Sequence, residues 1–295
     1  MGKLIRYITT DGTVTITGID STGIVSEMEK IHKTSAVITA ALGRLLTAAS
    51  IMGGALKGKD DSVTLRINAD GPAGSLLAVA DSDGNVRGSV QNPIVELPLN
   101  SVGKLDVSGA VGKNGSLFVI KDLSMKEPYV GSVPLVSGEI AEDVTYYYAV
   151  SEQTPTVCAL GVLVNPDLSV NVAGGFMISL LPFAPVDAID KIEENVKALK
   201  PVTVMLSENM SIEEICKTAM KGFELDVLDE RNPEYKCYCS RERVERALKS
   251  VGESELQKII TEDGKAELSC HFCNKKYHFD KNDLQRLADE IKKQR

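Results

Sequence analysis

Two closely spaced pairs of cysteines near the C-terminus constrain this chain of 295 residues more than any other feature. One residue separates Cys237 from Cys239, two separate Cys270 from Cys273, and thirty lie between the pairs. Because structural Zn²⁺ sites are tetrahedral and favour sulfur ligands, this pattern predicts that all four cysteines bind one zinc ion. A complete set of four protein ligands leaves no position for water, which argues against a catalytic zinc.

The local sequence around each pair suits a shared ion. Side chains at positions i and i+2 of a strand point to the same face, so the first pair can reach one metal. The second pair requires a tight turn, and Asn274 is expected to adopt the left-handed conformation there. His271 and His278 could each replace a ligand, but we expect both to be bystanders, because four sulfurs already fill a tetrahedron.

The same four cysteines could be a permanent structural site or a redox switch. Oxidants attack thiolates, and a sulfenic acid on either member of a pair has a second sulfur within one or two residues, so disulfide closure costs little chain entropy. Spacing alone leaves both interpretations open. Nearby positive charges are expected to favour the thiolate form, and the candidates are Lys236, Arg241, Lys275 and Lys276.

Composition indicates an ordinary globular protein with 43% apolar and 25% charged residues. A formal net charge of −8 disfavours nonspecific binding to nucleic acid or to an anionic membrane. No secretory signal is visible at the N-terminus, and clustered cysteines are typical of metal or redox chemistry in a reducing compartment. We therefore expect a cytoplasmic protein.

One apolar segment, Ala36–Leu56, is long enough to span a bilayer. Arg44 lies near its centre, where a charge costs roughly 2.5–3.5 kcal/mol on insertion scales. Small and polar residues dilute the rest of the segment. We predict a buried core helix.

The pattern along the chain predicts an α+β fold in three parts. Residues 1–180 are expected to form an N-terminal domain with a large, mostly antiparallel sheet and packed helices. Residues 181–230 are expected to be a helical linker, and residues 231–295 a small zinc-binding domain. After an N-terminal hairpin, the predicted strands are Val63–Ile67, Ser75–Ala80, Val86–Gln91, Leu105–Val111, Leu117–Lys121, Val130–Val136, Val157–Val164 and Ser169–Ala173.

The linker and the C-terminal domain both look marginal as independent folds. In the linker, Ser211 and Glu214 predict a capping box at the start of an amphipathic helix. The C-terminal domain has few large apolar residues, so zinc, at about 10–16 kcal/mol of binding energy, would hold it folded.

The two remaining cysteines, Cys158 and Cys216, are expected to be small buried hydrophobic residues.

Several stretches resemble one family over essentially the whole chain. The sharpest are the two cysteine motifs, Cys237-Tyr238-Cys239 and Cys270-His271-Phe272-Cys273. Others are Gly71-Pro72, Gly84-Asn85-Val86-Arg87-Gly88 and Ser151-Glu152-Gln153. Together they resemble the redox-regulated heat-shock chaperones of about 33 kilodaltons.

The resemblance implies a holdase that uses no ATP and binds unfolding proteins under oxidative stress. It implies one Zn²⁺ per chain in a reduced, inactive state, and activation by disulfides Cys237–Cys239 and Cys270–Cys273 with release of zinc. It also implies dimerisation on activation, and no enzymatic activity. The alternatives are a constitutive zinc-ribbon adaptor that binds protein or nucleic acid, and a zinc enzyme.

Overall fold

A computed structural model describes residues 2–182 and 184–293 of the chain. The chain forms two compact units, Met1–Lys236 and Cys237–Arg295. The fold is α+β with antiparallel sheets, as the sequence predicts.

In the described part of the first unit, the strands form two antiparallel sheets of five strands each. In spatial order, the first sheet contains β10 (Leu225–Arg231), β1 (Lys3–Thr9), β2 (Val14–Asp20), β9 (Val170–Leu180) and β8 (Thr156–Val164). The second contains β5 (Val86–Val90), β4 (Leu76–Asp81), β3 (Ser62–Ala69), β6 (Gly115–Asp122) and β7 (Tyr129–Pro134). Alternating burial along β3, β4 and β6 shows that one face of the second sheet covers the core.

The apolar segment forms α2 (Ala36–Gly54), which packs against strands of both sheets. Among the described residues it is the one helix long and apolar enough to cross a membrane, and 89% of its most apolar window is buried inside the fold. The prediction of a core helix is therefore confirmed. Arg44 reaches the edge of the core, where its Nη1 lies 2.6 Å from Oε2 of Glu139. The other helices before the linker are α1 (Thr22–His32), α3 (Val107–Val111) and α4 (Ala141–Val150).

Two sequence predictions in this unit are wrong. Leu105–Val111 was predicted to be a strand, but it contains α3, because the Asp106 carboxylate accepts a 2.9 Å hydrogen bond from the Gly109 N–H and caps a helix. The strand predicted to end at Ala173 continues to Leu180 as β9. Gly174 and Gly175 lie inside that strand, where the absence of a side chain allows close packing.

The segment predicted as a linker forms three helices, here called the linker helices: α5 (Val186–Ala198), α6 (Val202–Ser207) and α7 (Ile212–Ala219). Their apolar side chains form a second core with the first sheet. The predicted capping box is confirmed, since Ser211 Oγ accepts from the Glu214 N–H and the Glu214 carboxylate accepts from the Ser211 N–H. Strand β10, which the sequence did not reveal, follows α7 and pairs with β1.

The second unit is a two-stranded hairpin surrounded by helices. It contains α8 (Arg241–Val251), α9 (Glu253–Glu262), β11 (Lys265–Ser269), β12 (Lys276–Asp280) and α10 (Lys281–Lys293). Its small apolar core consists of Leu248, Leu256, Ile260, Tyr277, Phe279, Leu284, Leu287 and Ala288. A core of this size provides little hydrophobic stabilisation of its own.

Candidate metal centre

The four cysteines of the second unit lie on two separate segments. Cys237 and Cys239 precede α8, and Cys270 and Cys273 occupy the turn between β11 and β12. The turn is closed by two backbone hydrogen bonds, from the Cys270 N–H to the Lys275 carbonyl (2.9 Å) and from the Asn274 N–H to the Cys270 carbonyl (2.8 Å). Asn274 has a φ of 55°, which confirms the left-handed conformation predicted there.

The structure brings all four sulfur atoms together. Their Sγ atoms all lie within 4.8 Å of one another, and each cysteine is half-buried. The shortest described separations join one pair to the other: 3.6 Å from Cys237 to Cys270, and 3.4 Å from Cys239 to Cys273. The two segments therefore meet at a single point.

A tyrosine that the sequence did not suggest contacts this cluster. The hydroxyl of Tyr277, on β12, donates a 3.1 Å hydrogen bond to Sγ of Cys239. The Tyr277 side chain belongs to the core of the second unit and is only 6% exposed. Tyr277 therefore belongs to the apolar core and also contacts the cysteine cluster.

The four thiols do not share the same electrostatic environment. Burial raises the pKa of Cys237 and of Cys273 above the usual thiol value. Burial also acts to raise the pKa of Cys239, but hydrogen bonds from Tyr277 and from the neighbouring sulfurs outweigh it and lower that pKa to about 7. Cys239 thus differs from Cys237 and Cys273 in the direction of its pKa shift.

Two of the four cations expected to favour the thiolate form pair with carboxylates instead. Arg241 pairs with Asp283 at 2.7 Å, and Lys276 pairs with Glu267 at 2.7 Å. Hydrogen bonding, rather than these two charges, distinguishes Cys239. His278 also faces Glu267, at 3.2 Å, with 71% of its side chain exposed, and the clustered donor set consists of the four sulfurs without either candidate histidine.

The other two cysteines belong to the first unit. Cys216, on α7, is completely buried, and burial raises the pKa of its thiol to about 12. Cys158, on β8, is half-buried as a residue, although burial raises the pKa of its thiol as well. The prediction of a buried residue is therefore confirmed for Cys216 and holds only in part for Cys158.

The cluster has the dimensions of a tetrahedral metal site. Four sulfurs bound to one ion at ~2.3 Å form a tetrahedron with edges of about 3.8 Å, and the separations here range from 3.4 Å up to at most 4.8 Å. Soft thiolate donors in this arrangement suit zinc better than hard cations such as Mg²⁺. An α+β domain followed by a small four-cysteine unit defines a protein with a thiol-rich centre that could hold a metal ion.

Comparison with known families identifies the chain further. A family model described as "Hsp33 protein" matches residues 2–280. The chain therefore belongs to the Hsp33 family of heat-shock chaperones, as the resemblance of its cysteine motifs indicates.

Individual relatives agree over nearly the full length. A 33 kDa chaperonin from Clostridium botulinum (strain Eklund 17B / Type B) is 48% identical over 99% of both chains. One from Clostridium perfringens (strain SM101 / Type A) is 49% identical over 99% of this chain and 92% of the relative. The crystal structure of the 33 kDa chaperonin from Thermotoga maritima superimposes with a TM-score of 0.90 at 36% identity, covering 98% of this chain and 99% of that one.

Proposed function

We propose that this protein is a redox-regulated holdase that needs no ATP, and that Cys237, Cys239, Cys270 and Cys273 bind one Zn²⁺ in its reduced, inactive state. The meeting of four sulfurs within 4.8 Å in a unit with a small core carries the proposal. The bound ion would cross-link the two chain segments that carry the cysteine pairs. Family membership supports the chaperone role.

Oxidation is the proposed trigger. A cysteine thiolate attacks hydrogen peroxide, the O–O bond breaks, and the sulfur becomes a sulfenic acid while hydroxide leaves. The second thiolate of the pair attacks that sulfur, forming the S–S bond and displacing a second hydroxide, so two electrons pass from two thiolates to one peroxide. Disulfides Cys237–Cys239 and Cys270–Cys273 together remove all four donors, and the ion is released.

Loss of the ion would unfold the second unit. Structural zinc contributes on the order of 10–16 kcal/mol in small domains, which is comparable to the whole stability of a typical domain, about 5–15 kcal/mol. Without that contribution, the hairpin β11–β12 and the helices around it retain only a small apolar core. We expect this unit to unfold on oxidation.

The linker helices would then provide the binding surface. Their buried side chains include Ile192, Met205 and Ile215, which pack on the first sheet. Val186 and Ile189 of α5 are already exposed, at 78% and 38%. Once the linker helices detach, both sets become accessible, and a contiguous apolar surface is what an unfolded client protein binds. Dimerisation on activation and a cytoplasmic location complete the proposal.

The experiment compares the reduced, zinc-loaded chain before and after peroxide at mildly elevated temperature. We expect about one zinc per chain to be released, four thiols to be lost, and aggregation of an unfolding client to be suppressed only after oxidation. Zinc release without suppression would overturn the chaperone proposal. Suppression that is equal in both states, with zinc retained, would instead indicate a constitutive zinc-dependent binding protein.

A further inference from the structure

We propose that Tyr277 is a positioning residue of the redox centre, whose hydroxyl holds Cys239 in place and shields its sulfur from oxidants. Oxidation would then begin at the other sulfurs, and Cys239 would carry the smallest share of the first sulfenic acid formed. This inference rests on the proposed function, because it concerns the order of events at the same centre.

The position of the Tyr277 hydroxyl is fixed by the strand that carries it. Tyr277 lies opposite Leu268 in the β11–β12 register, and its neighbours Lys276 and His278 are exposed on the other face. Its ring is 94% buried in the core of the second unit, and Nζ of Lys275 lies 5.3 Å from the ring centroid. A ring held on so many sides delivers its hydroxyl to Sγ of Cys239, 3.1 Å away, at little further cost in entropy.

The donor to Cys239 differs in kind from the donors to two other sulfurs of the cluster. The sulfur of Cys237 accepts from the backbone N–H of Cys239, and that of Cys273 from the backbone N–H of Lys275. In both cases the donor is the backbone N–H two residues further along the chain. Of the donors to these three sulfurs, Tyr277 is the one that uses its side chain. A substitution can therefore remove its hydrogen bond while leaving the backbone in place.

In the zinc-loaded state all four cysteines would be thiolates, and a hydroxyl that donates to one of them weakens that thiolate as a nucleophile relative to the others. The hydrogen bond engages electron density on sulfur that would otherwise attack the peroxide oxygen, and it is strengthened by the negative charge. It also fixes the direction of the sulfur, as partners of metal ligands commonly do. Cys239 is therefore expected to act mainly in the second step, attacking a sulfenic acid already formed on Cys237.

The test is Tyr277→Phe in the reduced, zinc-loaded full chain. With less than one equivalent of hydrogen peroxide, sulfenic acids are trapped by a 1,3-dione reagent and assigned to each cysteine by peptide mass spectrometry. We expect the share found on Cys239 to rise severalfold in the variant. We also expect peroxide-driven zinc release, followed with a chromogenic chelator, to accelerate roughly tenfold, the lower end of the usual effect of removing such a partner.

Two further variants separate the hydroxyl from packing. Leu268→Ala weakens the contacts of the cross-strand neighbour and leaves the hydroxyl intact, and Tyr129→Phe removes a hydroxyl that contacts Ser151 in the first unit. Both should keep the wild-type distribution of trapped sulfenic acid. An unchanged distribution in Tyr277→Phe, or the same redistribution in Leu268→Ala, would overturn the inference while leaving the proposed function intact. A wild-type chain that retains zinc and all four thiols under excess peroxide would overturn both.

Discussion

The sulfur of Cys216, on the linker helix α7, packs directly against the backbone of Gly18 on β2. A Cβ atom at Gly18 would overlap that sulfur and would lie 2.9 Å from Cγ1 of Ile212. The same arrangement recurs under α6, where a Cβ at Gly174 would lie 2.8 Å from Cδ1 of Leu206. Glycines in the first sheet therefore leave the gaps into which the linker helices fit.

We predict that Gly18→Ala activates the protein without oxidation. The added methyl group forces α7 away from the sheet, and such overpacking costs about 1–3 kcal/mol. The four cysteines proposed to bind zinc belong to the second unit, so zinc content should remain unchanged. The measurement is suppression of client aggregation by the reduced variant, together with limited proteolysis within residues 186–223.

A compensating substitution provides the control for this prediction. Cys216→Ala removes the sulfur that the new methyl group would meet, so the double variant should regain part of the inactivity of the reduced wild-type chain. If Gly18→Ala stays inactive although proteolysis shows detached linker helices, exposure of the linker does not create the binding surface.

We predict that Cys270→Ser abolishes stoichiometric zinc binding and unfolds the second unit. Three sulfurs bind zinc far more weakly than four, and the folding of this unit depends on that binding. Zinc content by atomic spectroscopy and the amide exchange of residues 265–280 check the result. Cys158→Ser, in the first unit, is the matched control and should retain one zinc per chain; equal loss in both variants would contradict the assignment.

The shifted pKa of Glu152 predicts how the stability of the protein depends on pH. Burial acts to raise the pKa of this carboxyl, but Lys121, 2.7 Å away, and the Tyr147 hydroxyl outweigh burial, so its pKa lies below the usual 4.5. Because the pKa of Glu152 is lower in the folded than in the unfolded protein, its ionised carboxylate stabilises the fold at pH values above the unfolded-state pKa. That stabilisation is lost as pH falls through the folded-state pKa. Glu152→Gln should therefore cost about 1–3 kcal/mol near neutral pH, and less as pH falls below 4.5.

Denaturant unfolding of the first unit, followed at several pH values, measures that difference. Glu127→Gln is the control, because Glu127 is exposed. The account of Glu152 is contradicted if its variant loses equal stability at neutral and at acidic pH.

Local chemistry explains which features the sequence predicted well. The capping box at Ser211, the left-handed Asn274 and the core helix around Arg44 each depend on residues close together in the chain. The two cysteine pairs were predicted for the same reason, because each pair lies within its own short sequence motif. Fold class follows from many such local signals acting together.

Features that depend on distant partners were missed. Strand β10 has exposed Val227 and Leu228 and few core residues, and it is defined by pairing with β1, more than two hundred residues earlier. Tyr277 looks like any strand residue, and its role depends on a contact with Cys239 across the second unit. The glycine at position 174 is explained by distant partners, the Ile19 backbone and the Leu206 side chain that pack against it.

Hydrogen exchange during oxidation tests the central claim most directly. The full, zinc-loaded chain is treated with peroxide and sampled over time, with zinc release and suppression of aggregation measured on the same samples. We predict that residues 237–280 lose protection together with zinc, that residues 186–223 lose protection next, and that suppression of aggregation follows the second step. Full suppression while residues 186–223 remain protected would contradict the account.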